Sequence, residues 1–271
     1  MITNSQTLDD RNTASARCAA YGLIAHGFRY PDEVWYSALE DTAHWRDWPE
    51  WLGHCDEATG PTLRAMQSWI SSRDAAAGTS QLQSEYAVAF GHSVRGACPP
   101  YELEYGTGEI IQRSSDLADT SGFYAAYGLE MAGAVSERPD HVSVEAEFMA
   151  VLCAKEAHGI EHDISELVDS VRSTQRCFLR DHLAGWLPAL LRRVRKAGLS
   201  DFYSNLADFA SAFLTSECAR LDVTLGSPYL ELRPTDPTAE STQSCGVPGE
   251  CAPAAGGRFT QLNVSARKGA G

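Results

Sequence analysis

Two short segments concentrate the side chains that could do chemistry. The first is CPPYELEYGTGE, Cys98–Glu109. Its two prolines pre-set the backbone, so ordering it costs little entropy. Tyr101 and Tyr105 offer flat amphipathic surfaces, and Glu102, Glu104 and Glu109 surround them with negative charge. Rigid aromatics within a carboxylate fringe suit a ligand that is part apolar and part basic. Arginine matches both features, by carboxylate pairing and by stacking on aromatic faces. A solvated loop whose tyrosines pack on the body accounts for the same residues equally well.

The second segment is ERPDHVSVEAEF, Glu137–Phe148. Asp140 and His141 precede an apolar helix, so Asp140 or Ser143 is the candidate N-cap. Glu145 and Glu147 fall in or near the first turn, where the helix dipole favours acids. That structural account is complete by itself. The functional alternative makes Asp140, His141 and Glu145 a polar cluster at the mouth of a groove.

Other chemistry is weakly supported. His158 and His162 in HGIEH are four apart, the spacing of a helical metal pair, but Gly159 and the end of the apolar stripe predict that the helix stops there. GTGE at Gly106–Glu109 lacks the lysine and spacing of a phosphate loop, and there is no G-x-S-x-G elbow. The eight cysteines include no C-x-x-C pair. Cys245 and Cys251, in CGVPGEC, read as two reduced thiols rather than a redox loop. No catalytic machinery, metal site or cofactor site is expected.

Helices must position the two segments. Apolar spacing predicts a helix over 14–30 that stops before Pro31, a short one over 32–40, and one from Pro61 to about Ala77. Trp45, Trp48 and Trp51 lie between, broken by Pro49. Thr79 is the candidate cap of the next helix, with Leu82, Tyr86 and Phe90 on one stripe. Gly91–Ile111 reads as a loop. Helices follow over 116–129, 142–158, 164–179, after or across Pro188, and 202–221, with Glu137–His141 as a second loop. No period-2 strand and no internal repeat stands out. The expected fold is all-α, a single compact bundle of about eight or more helices over residues 1–226.

Composition breaks near residue 226. Gly, Pro, Ser, Thr and Ala supply 25 of the 45 residues from Ser227 to Gly271, which predicts an extended or disordered tail. The chain of 271 residues carries 22 basic and 36 acidic side chains, a formal charge of −14. The tail's charges cancel, so the excess belongs to residues 1–226. Such a surface disfavours nucleic acid and favours a basic partner. The polar start and the lack of a long apolar run predict an unexported chain without a membrane span.

In this order, the motifs resemble the TorD/DmsD/NarJ family of redox-enzyme maturation chaperones. LQSEYAVAF at Leu82–Phe90 is similar to the family's helix leading into its proline loop, and CPPYELEY at Cys98–Tyr105 to the loop itself. LADTSGFYAAYGL at Leu117–Leu129, PDHVSVEAEF at Pro139–Phe148, DHLAGW at Asp181–Trp186 and FYSNLADF at Phe202–Phe209 resemble the following elements. The likeness spans roughly residues 14–222; the tail has no counterpart, and Ala146 replaces a larger apolar residue. The tyrosine-rich proline loop is closest to relatives that serve enzymes of the dimethyl sulfide, ethylbenzene, selenate or chlorate kind.

The resemblance implies an all-helical, non-catalytic, cytoplasmic chaperone. It would bind the immature catalytic subunit of a molybdenum enzyme of the DMSO-reductase superfamily, often at a twin-arginine signal peptide. It would assist molybdenum-cofactor insertion and delay export until assembly is complete. It would be a monomer or a domain-swapped dimer. Carried over by motif, recognition falls on Tyr86, Phe90, Tyr101, Tyr105, Asp140 and His141; Glu102 and Glu145 are added as arginine partners on physical grounds. The apolar part of the peptide would enter a groove lined by Tyr86, Phe90 and Tyr101. Alanine at Asp140 or His141 is expected to leave folding normal and abolish client binding. The rival readings are a nucleotide hydrolase, a metal or redox module, and a structural subunit of the mature enzyme.

Overall fold

A computed structural model describes residues 4–32, 34–36, 59–91, 95–106, 112–131 and 137–234. Among these the expected all-α class holds: eight α-helices, one 3-10 turn and no extended strand. The helices are α1 (Asn4–Gly27), α2 (Thr59–Ser71), α3 (Ala75–Ala89), α4 (Gln112–Ala126), α5 (Val142–Glu161), α6 (Ser165–Asp181), α7 (Leu183–Lys196) and α8 (Asp201–Leu221). The longest packed pair is α1 along α5; α2 lies on α8, α6 on α5, and α7 on α8. No helix of the described residues is long and apolar enough to cross a membrane.

Several boundaries differ from the periodicity. The helix expected to run from Pro61 to about Ala77 ends at Ser71, and Asp74 opens the next one by accepting the Ala77 N–H at 3.0 Å. Thr79 therefore sits buried inside α3 rather than at its cap. Helix α5 continues through Gly159 to Glu161. A side chain there would meet Val168 at 2.9 Å, so the glycine is a packing contact with α6 rather than a stop signal. The expected 32–40 helix is seen over 34–36; the rest of it, with Trp45, Trp48 and Trp51, lies outside the described residues.

An ion network sits at the centre of the helical body. Arg17 is 1% exposed and forks onto Glu217, with two contacts of 2.7 Å. It also reaches Glu156 at 2.8 Å and Gln175 at 2.7 Å. Gln175 and Arg172 donate to Glu156, and Tyr21 to Glu217. Buried charges are tolerable only when paired and hydrogen-bonded like this. The network joins α1, α5, α6 and α8. Although burial works against ionisation of Glu156, Arg17, Arg172 and Gln175 hold its carboxyl below the usual range.

Pro188 lies inside α7, one of the two placements its sequence context allowed. Lacking an N–H, it leaves the Ala184 carbonyl four residues earlier without an intrahelical donor. The Gly226 N–H fills that place at 2.9 Å. Only glycine fits so near, because a Cβ would lie 2.3 Å from the Gly185 oxygen. The chain leaving α8 is thus pinned to α7, and Ser227–Pro234 continues in non-helical conformation across the proline loop.

Candidate functional site

The two segments singled out by sequence form one structure. The backbones meet at a bridge between Tyr101 and His141, with Glu102 N–H donating to Asp140 O and Val142 N–H to Pro100 O, both at 2.9 Å. Asp140 is fully buried and its carboxylate accepts the Leu103 N–H at 3.1 Å. Arg138 forks onto the same carboxylate at 2.9 and 2.6 Å, reaches Glu104 at 3.4 Å and lies over the Tyr101 ring at 4.6 Å. The 3-10 turn at Glu102–Glu104 is therefore nucleated by a side chain from the other segment.

The N-cap of α5 is His141, not Asp140 or Ser143. Its Nδ1 accepts the Ser143 N–H at 3.1 Å. That role leaves the proton on Nε2, which lies 3.8 Å from the Glu137 carboxylate. Burial lowers the His141 pKa, so the ring is neutral at neutral pH, although Glu137 and Asp140 pull the other way. The Tyr101 hydroxyl donates to Glu137 at 3.0 Å, and its ring meets His141 edge-on. Aspartate lost the cap because its carboxylate is turned across to the proline loop.

Behind the loops lies a second cluster. Glu145 is fully buried on the first turn of α5 and accepts Trp186 Nε1–H at 3.1 Å. Burial, reinforced by Glu102 and Asp140, pushes the Glu145 carboxyl well above its usual range. That environment favours the protonated carboxyl over the carboxylate. Glu102 also pairs with His182 Nδ1 at 3.0 Å, while His182 Nε2 is 3.6 Å from Asp119. Burial alone would lower His182, yet the bond to Glu102 and the charges of Asp119 and Asp181 raise it overall. His182 occupies the break between α6 and α7, so this pair ties the loop to a helix junction.

The structure distributes the eight predicted residues unevenly. Tyr101, Glu102, Asp140, His141 and Glu145 are brought together. Tyr105 is 2% exposed, donates to Pro99 O and packs on Trp186. Tyr86 and Phe90 are buried among Phe28 and Tyr203, with the Tyr86 hydroxyl on Phe28 O. They support the site from below and do not line an open groove; half-buried Tyr101, with Tyr30 and Glu137 near by, is the accessible part. The carboxylate fringe is also partly spent, with Glu102 on His182 and Glu104 on Arg95 and Arg138. Glu109 lies outside the described residues.

Asp140 and His141 are fully buried, so alanine at either should loosen the loops as well as alter binding, unlike the neutral folding expected from sequence. Sequence reasoning missed Arg138, Glu137, His182 and Trp186. Arg138 and Glu137 stand in the quoted ERPDH, and a charge two residues from an acid before a helix was the available signal. His182 and Trp186 stand in DHLAGW, with nothing local to show that they face Glu102 and Glu145.

Neither other chemistry gains a geometry. Cys98 in the proline loop is a buried thiol pushed up to about 11 by burial, hence unreactive. His162 caps α5 with its ring on the His158 carbonyl at 2.9 Å. No group of three metal-ligating side chains occurs among the described residues, and Cys55, Cys245 and Cys251 lie outside them.

Comparison with known proteins places the chain in a family. Residues 53–192 match the family described as nitrate reductase delta subunit. The chain is 25% identical over 223 residues to the perchlorate reductase assembly chaperone protein of Dechloromonas aromatica, covering 78% of this chain and 92% of the relative. It is 28% identical over 142 residues to the chaperone protein TorD of Vibrio cholerae, 52% of this chain and 63% of that one. It is 32% identical over 114 residues to the selenate reductase assembly chaperone protein of Thauera selenatis, 42% and 57% respectively. The chain belongs to the nitrate reductase delta subunit family.

Proposed function

We propose that this family member is an assembly chaperone for the molybdenum-containing catalytic subunit of an oxidoreductase of the DMSO-reductase superfamily. Its client would be of the kind served by the perchlorate and selenate reductase chaperones. The observation that carries the reading is the pair of family motifs folding into one hydrogen-bonded loop structure at the surface. It acts by binding rather than turnover, in the cytoplasm, on the immature subunit.

The client's twin-arginine signal peptide is the proposed ligand. Tyr101 offers its exposed face, with Glu137 beside it. Glu102 stands behind, exchangeable between His182 and an incoming guanidinium. Tyr86, Phe90, Tyr105, Asp140, His141 and Glu145 hold that surface in shape. Occupying the leader until cofactor insertion is finished would delay export. Tethering a flexible peptide this way uses charge-assisted bonds for orientation and aromatic contact for affinity.

The test is purification of the chain with its bound subunit, followed by calorimetry against that subunit with and without its leader. Loss of affinity on leader removal, and weaker binding in Tyr101→Ala and Glu137→Gln, are expected. Affinity should fall as salt rises. Equal affinity with and without the leader defeats the signal-peptide assignment, and co-purification with only the active holoenzyme defeats the chaperone reading.

A further inference from the structure

The chain beyond α8 holds a place that another extended segment could take. From Gly226 it crosses the proline loop and pairs with it as a strand would. Gly106 N–H donates to Glu231 O at 2.9 Å, and Arg233 N–H to Glu104 O at 2.8 Å, around a bridge between Tyr105 and Leu232. Arg95 donates to Arg233 O at 2.7 Å, and Arg233 Nε to Tyr105 O at 2.8 Å. Two of these four hydrogen bonds are backbone to backbone and do not depend on the sequence of the added strand; the other two use the Arg95 and Arg233 side chains.

The side chains that do engage are selective. Tyr229 is 68% exposed and lies under Arg192 at 4.5 Å. The Glu231 carboxylate, 87% exposed, faces Arg193 at 3.7 Å. Arg192 and Arg193 belong to the basic end of α7, on a chain whose formal charge is −14. The edge is thus a basic platform on an acidic protein, occupied by an acidic residue that is barely buried. Leu230 and Leu232 add partly buried apolar contact with the body, and tethering presents the segment to its site at high effective concentration.

We propose that Ser227–Pro234 is a displaceable strap. The edge it covers would be a second protein-contact surface, taking an extended acidic segment of a partner in trans. The site is distinct from the signal-peptide surface, because its charge has the opposite sign. A partner strand would add to the Tyr105 backbone and place an acid on Arg193. While the strap is docked, apparent affinity for such a segment is reduced by the fraction of time the edge is free.

The experiment uses the full chain and two fluorescent synthetic peptides. One is the chain's own residues 227–236; the other carries two consecutive arginines before an apolar run. Leu232→Ala/Arg233→Ala loosens the strap, and Gly226→Ala, whose Cβ would lie 2.3 Å from the Gly185 oxygen, does so from its root should the double variant fold poorly. The strap peptide should bind the loosened chain about tenfold more tightly than the unaltered one, and the arginine peptide should gain nothing. Arg193→Glu, which puts like charges opposite each other, should weaken strap-peptide binding several-fold, and a peptide with Glu231→Arg should recover the loss. Equal strap-peptide binding to loosened and unaltered chains overturns the strap. So does failure of the charge swap. A gain by the arginine peptide overturns the acidic-segment assignment. Should the arginine peptide bind neither form, the signal-peptide reading falls and the strap stands.

Discussion

The body and the loop pair both bury charge, and they do so in opposite senses. In the body, Arg17 neutralises Glu156 and Glu217, and every partner stands on a helix. In the loops, Asp140 and Arg138 are paired, yet Glu145 is buried with no cation beside it among the described residues, and burial with Glu102 and Asp140 pushes its carboxyl well above the usual range. The first arrangement fixes how four helices meet. The second holds irregular backbone in place and leaves Tyr101, Glu137 and Arg138 at the surface. Buried charge paired within helices secures a register, whereas buried charge spanning two loops shapes a contact surface.

The contrast extends to pH. Glu156 has a depressed folded pKa, so its contribution is present above about 4.5 and is lost as pH falls through the folded value. His182 has a raised folded pKa, so its contribution is complete below about 6.5 and is lost as pH rises through the folded value. Glu145, also raised, costs stability increasingly as pH climbs above about 4.5. Acid should therefore loosen the body network, and base the loop pair.

The largest effect expected is in the body. Arg17→Met removes the buried cation shared by Glu156 and Glu217, leaving only the half-exposed Arg172 and Arg220 at the network's edge, and should cost about 3–5 kcal/mol in urea unfolding. A loss under about 1 kcal/mol would erase the distinction between the regions. Next, Asp140→Ala removes the acceptor for the Leu103 N–H and should cost about 1–3 kcal/mol. Hydrogen exchange should show Leu103 losing protection while the Arg17 helices keep theirs.

Glu145→Gln keeps an acceptor for Trp186 and supplies a donor toward Glu102 without an ionisable proton. It should raise stability at pH 8 relative to its effect at pH 4.5, because the glutamine has no proton for the unfolded chain to lose as pH climbs. A stability profile with the same slope as the unaltered chain removes the raised-carboxyl assignment. His182→Asn should flatten loop exchange between pH 6 and 8, leaving Glu102 without its cation throughout. The smallest effect is at Arg11, which bridges α1 to Glu161 at the surface, 3.2 Å away. Arg11→Ala should change stability by under about 0.5 kcal/mol, because exposed pairs contribute little. Together with Arg17 on the same helix, it tests whether burial sets the worth of a pair.

Much of this was legible in residue order. Apolar stripes such as Phe202, Leu206, Phe209 and Phe213 located α8, and proline and tyrosine marked the first loop. Helix ends were less legible. The polar start of α1 carries little apolar periodicity, so its first turns were missed. Thr79 was the cap expected from the sequence, yet Asp74 holds that place and Thr79 is buried one turn inside α3, where packing rather than capping decides its role. Asp140 lost the capping role to His141 because its carboxylate had a better partner 37 residues away, and no local rule encodes that.

The sequence by itself determined the helical class, the two motif-bearing loop segments and the family, since periodicity, turn chemistry and motif order are written along the chain. Tertiary structure alone decided that Tyr86 and Phe90 are buried, that the Glu145 carboxyl is pushed well above its usual range, and that residues 227–234 lie on the proline loop. Burial, pKa and strand pairing are properties of which distant groups meet, and contact between distant groups exists only once the chain has folded.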